Sequence, residues 1–355
     1  MQIVSLPKYV IGQDAFDAIP SICLNFGKNL QIVGGKTGLA SSINALKKSL
    51  KNSEINLMEP IWYGGECTDE NIELLTKEIG DNGANIIAGL GGGKAIDTAK
   101  AVGDKLGLPV ITIPTIASTC AGTSGLSVVY DKNHKFTRFI HFDAPPICSF
   151  INSQIIAEAP AEYFRAGMGD TLAKFYECSF AARGDSLNYT NGLGKTISHM
   201  CADPLFEHGR KALKDCEENK ITPSLEQIIQ AIIVNTGMVS ILVDEDYNGA
   251  VAHSLFYGLT ILPHIEEKYL HGDVVAYGIL VQLVIDKKLD EAMKVRNFLK
   301  DIGCPTTLKD IEVKLDREYL SNVLIETVNG PDMKKIPYKI DENMVFDALS
   351  QIEKM

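Results

Sequence analysis

Residues 85–100 read Asn-Ile-Ile-Ala-Gly-Leu-Gly-Gly-Gly-Lys-Ala-Ile-Asp-Thr-Ala-Lys, an apolar strand that passes through a run of glycines into a helix. This order constrains the fold strongly, because a strand followed at once by a helix belongs to a βαβ unit and hence to a parallel sheet. Glycines let a ligand approach the backbone, and the N–H groups at the start of the following helix favour a pyrophosphate. Two familiar phosphate motifs do not fit. A dinucleotide fingerprint beginning at Gly89 requires a glycine where Lys94 stands, and a P-loop requires Gly and Ser/Thr where Ala88 and Ala95 stand. The segment therefore reads either as a cofactor turn or as a tight strand-to-helix turn without a ligand.

The same alternation extends over the first 150 or so residues. Strands are expected at 30–33, 55–58, 85–88, 110–113 and 126–130, with helices at 38–51, 69–80 and 95–106. Thr68 precedes the second of these helices with good N-cap chemistry. Beyond residue 153, long amphipathic segments replace the strands, at 169–183, 225–242, 249–262, 273–289 and 289–302. The expected layout is an α/β dinucleotide-binding domain with a mostly parallel sheet over residues 1–152, followed by an all-α domain over residues 153–355.

A formal net charge of −11, with no Lys/Arg cluster, argues against nucleic acid as a partner. Eight scattered cysteines without a CxxC pair fit reduced thiols, most of them small core fillers. The start, Met1-Gln2-Ile3-Val4-Ser5, lacks signal-peptide features, and no unbroken apolar stretch reaches membrane-spanning length. A cytoplasmic enzyme acting on a small molecule, without a membrane partner, is the expectation.

Two of the seven histidines stand in distinctive contexts: His253 lies within an apolar helical segment, and His271 opens another. With one carboxylate they would form a three-ligand site with an open position, as a catalytic Zn²⁺ or Fe²⁺ requires. The carboxylate candidate is Asp170, in Gly167-Met168-Gly169-Asp170, which reads as a glycine-marked helix start. There Asp170 is either a metal ligand or only an N-cap.

Taken in order, the glycine turn with Asp97 and Lys100, the run Pro114-Thr115-Ile116-Ala117-Ser118-Thr119, the Gly-Met-Gly-Asp at 167–170 and two histidines eighteen positions apart resemble the iron-containing, metal-dependent alcohol dehydrogenases, in particular their glycerol dehydrogenase-like branch. The resemblance covers nearly the whole chain. It implies a dehydroquinate synthase-like architecture, NAD(P)(H), a homo-oligomer, and hydride transfer to or from a small hydroxy or carbonyl compound. Gly91, Gly92, Gly93, Lys94 and Asp97 would line the dinucleotide, with Thr115, Ser118, Ser124, Leu126 and Tyr130 continuing that wall. Asp170, His253 and His271 would hold the metal in a cleft between the two domains. Lys174 occupies the position where iron-type members carry a fourth ligand, so zinc is expected ahead of iron.

Three departures refine the reading. Cys120 stands where glycerol dehydrogenases have an aspartate for polyol hydroxyls, and Lys174 lies one helical turn after Asp170. Loss of an anion and gain of a cation lean toward a 2-hydroxy acid or 2-oxo acid, in a sub-branch that includes 2-hydroxycarboxylate dehydrogenases. A glycerol or other polyol substrate is the alternative, with Lys174 paired to Glu177 or Asp170. After the first strand of the 30–33 region, Gly34-Gly35-Lys36 replaces the acidic residue of NAD-preferring relatives, so Gly35 and Lys36 admit NADP(H), with preference for NADPH left open. Outside this class stand a dehydroquinate synthase-like lyase, which would need Arg183, Lys195 and Arg210 to form a phosphate pocket, and a dinucleotide-binding protein without catalysis.

Overall fold

The computed structural model describes residues 3–355 and contains two compact units. The first runs to Pro160 and regains Asp215–Ile241; the second holds Ala161–Lys214 and Leu242–Met355. The expected boundary at 152/153 lies close to the first crossing at Pro160, but the return of 215–241 to the first unit departs from a simple two-block layout. Its cause is packing. The helical run Pro223–Leu242 is long and apolar enough, by length and composition, to cross a membrane, yet 61% of its most apolar window is buried inside the fold. Tyr9 donates from its hydroxyl to Gln230 Oε1 at 3.1 Å, and Thr123 Oγ1 donates to the carbonyl of Ile233.

In the first unit the strands are β1 (Tyr9–Gly12), β2 (Asn29–Gly34), β3 (Asn56–Leu57), β4 (Ile61–Trp62), β5 (Ile86–Gly91), β6 (Val110–Pro114), β7 (Leu126–Tyr130), β8 (Phe136–His141) and β9 (Cys148–Asn152). Seven form one parallel sheet in the order β1-β9-β6-β5-β2-β3, with β4 also pairing β2. Residues of β2 and β5 are buried on both faces, as a helix-covered parallel sheet requires. Leu30, Ile32 and Ile86 pack with Phe16 and Leu46 on one side, whereas Val33 and Ile87 pack with Ile72 and Val102 on the other. The expected strand 126–130 is real but lies outside this sheet: β7 pairs antiparallel with β8, and its alternating burial fits a two-stranded ribbon with one exposed face. Thr68 caps the helix Asp69–Gly80 as expected, its side chain accepting from Asn71 N–H.

The second unit has no strand among the described residues. Its centre is the contact between the long helix Ala161–Ala181 and the helix His271–Ile285, buried from Gly272 to its end. A Cβ on Gly169 would collide with the Gly272 carbonyl, and one on Gly272 with the Ala166 carbonyl, so the two backbones touch directly. Gly169→Val should therefore force the helices apart at a cost of about 1–3 kcal/mol, read as a lowered urea midpoint. Gly192→Ala, in the helix Tyr189–Ile197 where a Cβ meets nothing within 4 Å, should be neutral or slightly stabilising in the same titration.

Candidate metal and cofactor site

The glycine turn ends β5. Gly91 has φ +138°, a conformation that side-chain-bearing residues rarely adopt, and its carbonyl accepts from Thr115 N–H at 3.1 Å. Gly92 precedes the helix Gly93–Leu106, and no side chain caps that helix start. Thr115 and Ser124 are buried, whereas Gly92, Gly93, Ser118, Cys120, Leu126 and Tyr130 are partly exposed around the same turn and the loop after β6. Lys94 is exposed; its ammonium pairs with Glu66 and lies 5.3 Å from the Tyr130 ring centroid. Glu66, which sequence reasoning did not single out, is buried and also takes His134 Nδ1 at 2.6 Å.

Asp97 sits deeper than a wall residue. It is buried, pairs with Lys100 at 2.8 Å, and accepts from Val128 N–H at 3.2 Å. Burial pushes its carboxyl above the ordinary range, with Lys100 opposing the shift. The Lys100 ammonium donates to the carbonyls of Ala121 and Leu126 and to Ser124 Oγ. Together these two side chains tie the loop 120–126 to the glycine-turn helix. At the adjacent end of β2, Lys36 lies 4.5 Å from the ring centroid of Trp62. A Cβ on Gly35 would meet only Tyr63, at an ordinary 3.6 Å.

In the second unit Asp170, His253 and His271 converge, with one ligand atom from each lying within 4.8 Å of the others. Nε2 of each histidine stands 3.5 Å from Asp170 Oδ1. Ligands ~2.0–2.1 Å from a tetrahedral ion stand about 3.4 Å apart, and the two histidine–aspartate separations are close to that value. His271 is 40% exposed against 14% for Asp170 and His253, so the cluster is open on the His271 side. The ring edge of Phe256 braces His271 at 4.4 Å between centroids.

Asp170 does not start a helix. It lies in mid-helix within Ala161–Ala181, which removes the N-cap alternative. Gly169, just before it, marks the contact with Gly272, and that contact brings Asp170 beside His271. Arg165 and Asp273 reinforce the crossing through a two-pronged pair, Nε–Oδ1 3.0 Å and Nη2–Oδ2 2.7 Å.

Glu177, two helical turns after Asp170, was missed as a site residue. Its side chain is fully buried; Oε1 accepts from the N–H groups of Ala250 and His253 at 2.8 and 2.9 Å, and Oε2 meets His253 Nδ1 at 2.5 Å. The available signal was an acid inside the otherwise apolar stretch Phe175-Tyr176-Glu177-Cys178. Gln282 Oε1 adds a contact to Val251 N–H at 3.3 Å, so neighbouring helices supply the caps that Ala250 cannot give the helix Val251–Leu259. Lys174 pairs with neither Glu177 nor Asp170: its ammonium donates to Asn248 O at 2.8 Å and Asn248 Oδ1 at 3.2 Å. Arg183 and Arg210 are taken by Asp286 and Asp301, so they do not form the basic phosphate pocket a lyase would need.

A parallel α/β unit with a glycine-rich turn, joined in one chain to a helical unit bearing an Asp-His-His cluster, defines the metal-dependent alcohol dehydrogenase class. The family model for iron-containing alcohol dehydrogenase matches residues 7–151. Glycerol dehydrogenase of Thermotoga maritima is 40% identical over 70% of this chain and 68% of its own length. Hydroxycarboxylate dehydrogenase A of Escherichia coli is 37% identical over 82% of this chain and 81% of its own. A crystal structure of a probable glycerol dehydrogenase from Sinorhizobium meliloti superposes with a TM-score of 0.86 at 27% identity, covering 100% of this chain and 99% of the other. The chain belongs to the iron-containing alcohol dehydrogenase family, in its glycerol dehydrogenase-like branch. It is thus an alcohol oxidoreductase, and its family implies NAD(H) and a metal ion.

The electrostatics give a pH dependence for metal uptake. Burial alone would lower the His253 pKa, but Glu177 and Asp170 outweigh it and push the imidazole up to about 10. Burial alone would raise Asp170, but the hydrogen bonds from His253 and His271 outweigh it and hold its carboxyl well below the ordinary range. A cation binding there at neutral pH would therefore have to displace the His253 proton. Zinc affinity of the metal-free protein, measured by chelator competition, should rise with pH between 6.5 and 9, by about tenfold per unit for one displaced proton.

Proposed function

We propose that Asp170, His253 and His271 bind one divalent cation, zinc ahead of iron, and that the chain moves a hydride between NAD(P)(H) and a small 2-hydroxy acid or 2-oxo acid. The convergence of three donors, with both histidine nitrogens 3.5 Å from the Asp170 carboxylate, carries the metal assignment. When bound, such a cation supplies Lewis-acid polarisation of a substrate oxygen, and the dinucleotide supplies or accepts the hydride. The chain's own task is placement. Gly91, Gly92 and Gly93 leave the backbone open to a pyrophosphate; Thr115, Ser118, Ser124, Leu126 and Tyr130 continue that wall, with Lys94 beside them and Asp97 bracing it through Lys100.

The acid substrate rests on Cys120, a neutral thiol where a polyol-binding carboxylate is expected, and it agrees with the likeness to hydroxycarboxylate dehydrogenase A. Lys174 supports it through its remaining donor: an ammonium has three N–H groups, and Asn248 takes two. A polyol substrate is the second reading. It is favoured by that same engagement, which gives Lys174 a structural task of its own, and by the likeness to glycerol dehydrogenase. Either way the enzyme is read as a cytoplasmic homo-oligomer.

At the adenosine end, neither steric crowding nor an unusual φ requires a glycine at position 35. The absence of a carboxylate there, beside exposed Lys36, leaves room and charge for a 2′-phosphate. Gly35→Asp should raise the KM for NADPH more than that for NADH; a wild type that ignores NADPH would overturn this half of the reading.

A panel of polyols and 2-oxo acids with zinc-reconstituted enzyme decides the substrate. Lys174→Met should depress 2-oxo acid turnover far more than polyol turnover, by roughly ten- to a hundredfold if a charge-assisted bond to the carboxylate is lost. Cys120→Asp should shift preference toward polyols. Equal losses on both classes in Lys174→Met would return the lead to glycerol.

A further inference from the structure

We propose that Glu177 is a positioning residue that fixes the tautomer of His253, holding its ring proton on Nδ1 so that Nε2 keeps a lone pair for the metal. This rests on the assignment of Asp170, His253 and His271 as ligands. An ionised carboxylate can only accept hydrogen bonds, and every neighbour of Glu177 fits that rule. Oε1 takes two backbone N–H groups, from Ala250 at 2.8 Å and His253 at 2.9 Å, and Oε2 takes His253 Nδ1 at 2.5 Å. The side chain is fully buried, so water cannot substitute for it. With Nδ1 committed as donor, Nε2 is left facing Asp170 Oδ1 at 3.5 Å, on the side where His271 Nε2 also lies.

The same helix grips the segment just before the His253 helix. Lys174, three residues before Glu177, holds the Asn248 carbonyl at 2.8 Å, while Glu177 holds Ala250 and His253. One face of the helix Ala161–Ala181 thus provides a ligand, a backbone clamp and a tautomer lock at Asp170, Lys174 and Glu177.

Glu177→Gln separates this role from simple packing, because the amide has nearly the same shape but one end donates. If its oxygen keeps the two backbone N–H groups, its NH₂ faces Nδ1, which must then accept; the ring proton moves to Nε2 and covers the ligand position. If the amide is reversed, its NH₂ opposes two backbone N–H groups. Neither arrangement reproduces the wild type.

The experiment uses the full chain and Zn²⁺ as probe. Zinc affinity by chelator competition should fall ten- to a hundredfold in E177Q, the range for loss of a carboxylate behind a ligating histidine, while the circular dichroism spectrum of the metal-free protein keeps its wild-type shape. Independently, ¹⁵N imidazole spectra of zinc-loaded wild type, with His253 assigned by difference from His253→Gln, should show its proton on Nδ1; this measurement stands even if E177Q does not fold. A His253 proton on Nε2 in the wild type, or zinc affinity in E177Q within twofold of wild type, overturns the proposal. Failure of the underlying assignment would look different: undiminished zinc binding in His271→Ala removes the ligand set itself, whatever E177Q does.

Discussion

The helical unit depends on backbones that touch without side chains between them. Gly169 and Gly272 let the helices Ala161–Ala181 and His271–Ile285 meet carbonyl against Cα, and Gly278 meets the Ala252 backbone of the helix Val251–Leu259 in the same way. Each candidate ligand is the immediate sequence neighbour of one of these contacts: Asp170 follows Gly169, His271 precedes Gly272, and His253 follows Ala252. Cores are close-packed and yield little, so such contacts fix relative position more tightly than interdigitated side chains would. The donor geometry is therefore a consequence of helix packing, and the Arg165–Asp273 pair secures the same crossing with charge.

How far the sequence disclosed this depends on what each residue signals. The helix Asp69–Gly80 with its Thr68 cap, and the turn after β5, were legible because propensity, capping and glycine chemistry act locally. Asp170, His253 and His271 could be picked out because few residue types bind metals. What failed was the meaning of Gly167 and Gly169, read as a helix start although the helix runs straight through them. A glycine demanded by a neighbouring backbone looks the same in sequence as one demanded by a turn. Glu177, considered only as a partner for Lys174, was not read as a site residue for a related reason: its partners lie more than 70 residues away, and only the fold brings them to it. The return of residues 215–241 to the α/β unit is equally tertiary, since an amphipathic period does not say which core the helix will cover.

The loop after β6 shows how charge can be structural and still serve a site. Lys100 and Asp97 form a buried pair, which on its own is poor evidence for stability because both ions lose water. Here the ammonium also satisfies two carbonyls and a hydroxyl, and the carboxylate takes the Val128 N–H. The pair is better understood as what holds an irregular loop, rich in small and hydroxyl residues, in one shape against the helix that follows the glycine turn.

Charge balance in the other unit suits the divalent cation proposed for it. The hydrogen-bonded set Asp170, Glu177, His253 and His271 contains two carboxylates, both held below the ordinary range despite burial. With neutral imidazoles the set carries two negative charges, which one divalent cation neutralises; a monovalent ion would leave a buried excess charge, at considerable cost in a medium of low polarity. The two histidines are also unequal. His253 is backed by a buried carboxylate, which makes its imidazole a stronger donor, whereas His271 is more exposed and braced by the edge of Phe256. Were a cation held by Asp170, His253 and His271, the carboxylate behind His253 would make that imidazole the stronger of the two nitrogen donors, and the more exposed His271 side would be the one left for a substrate oxygen.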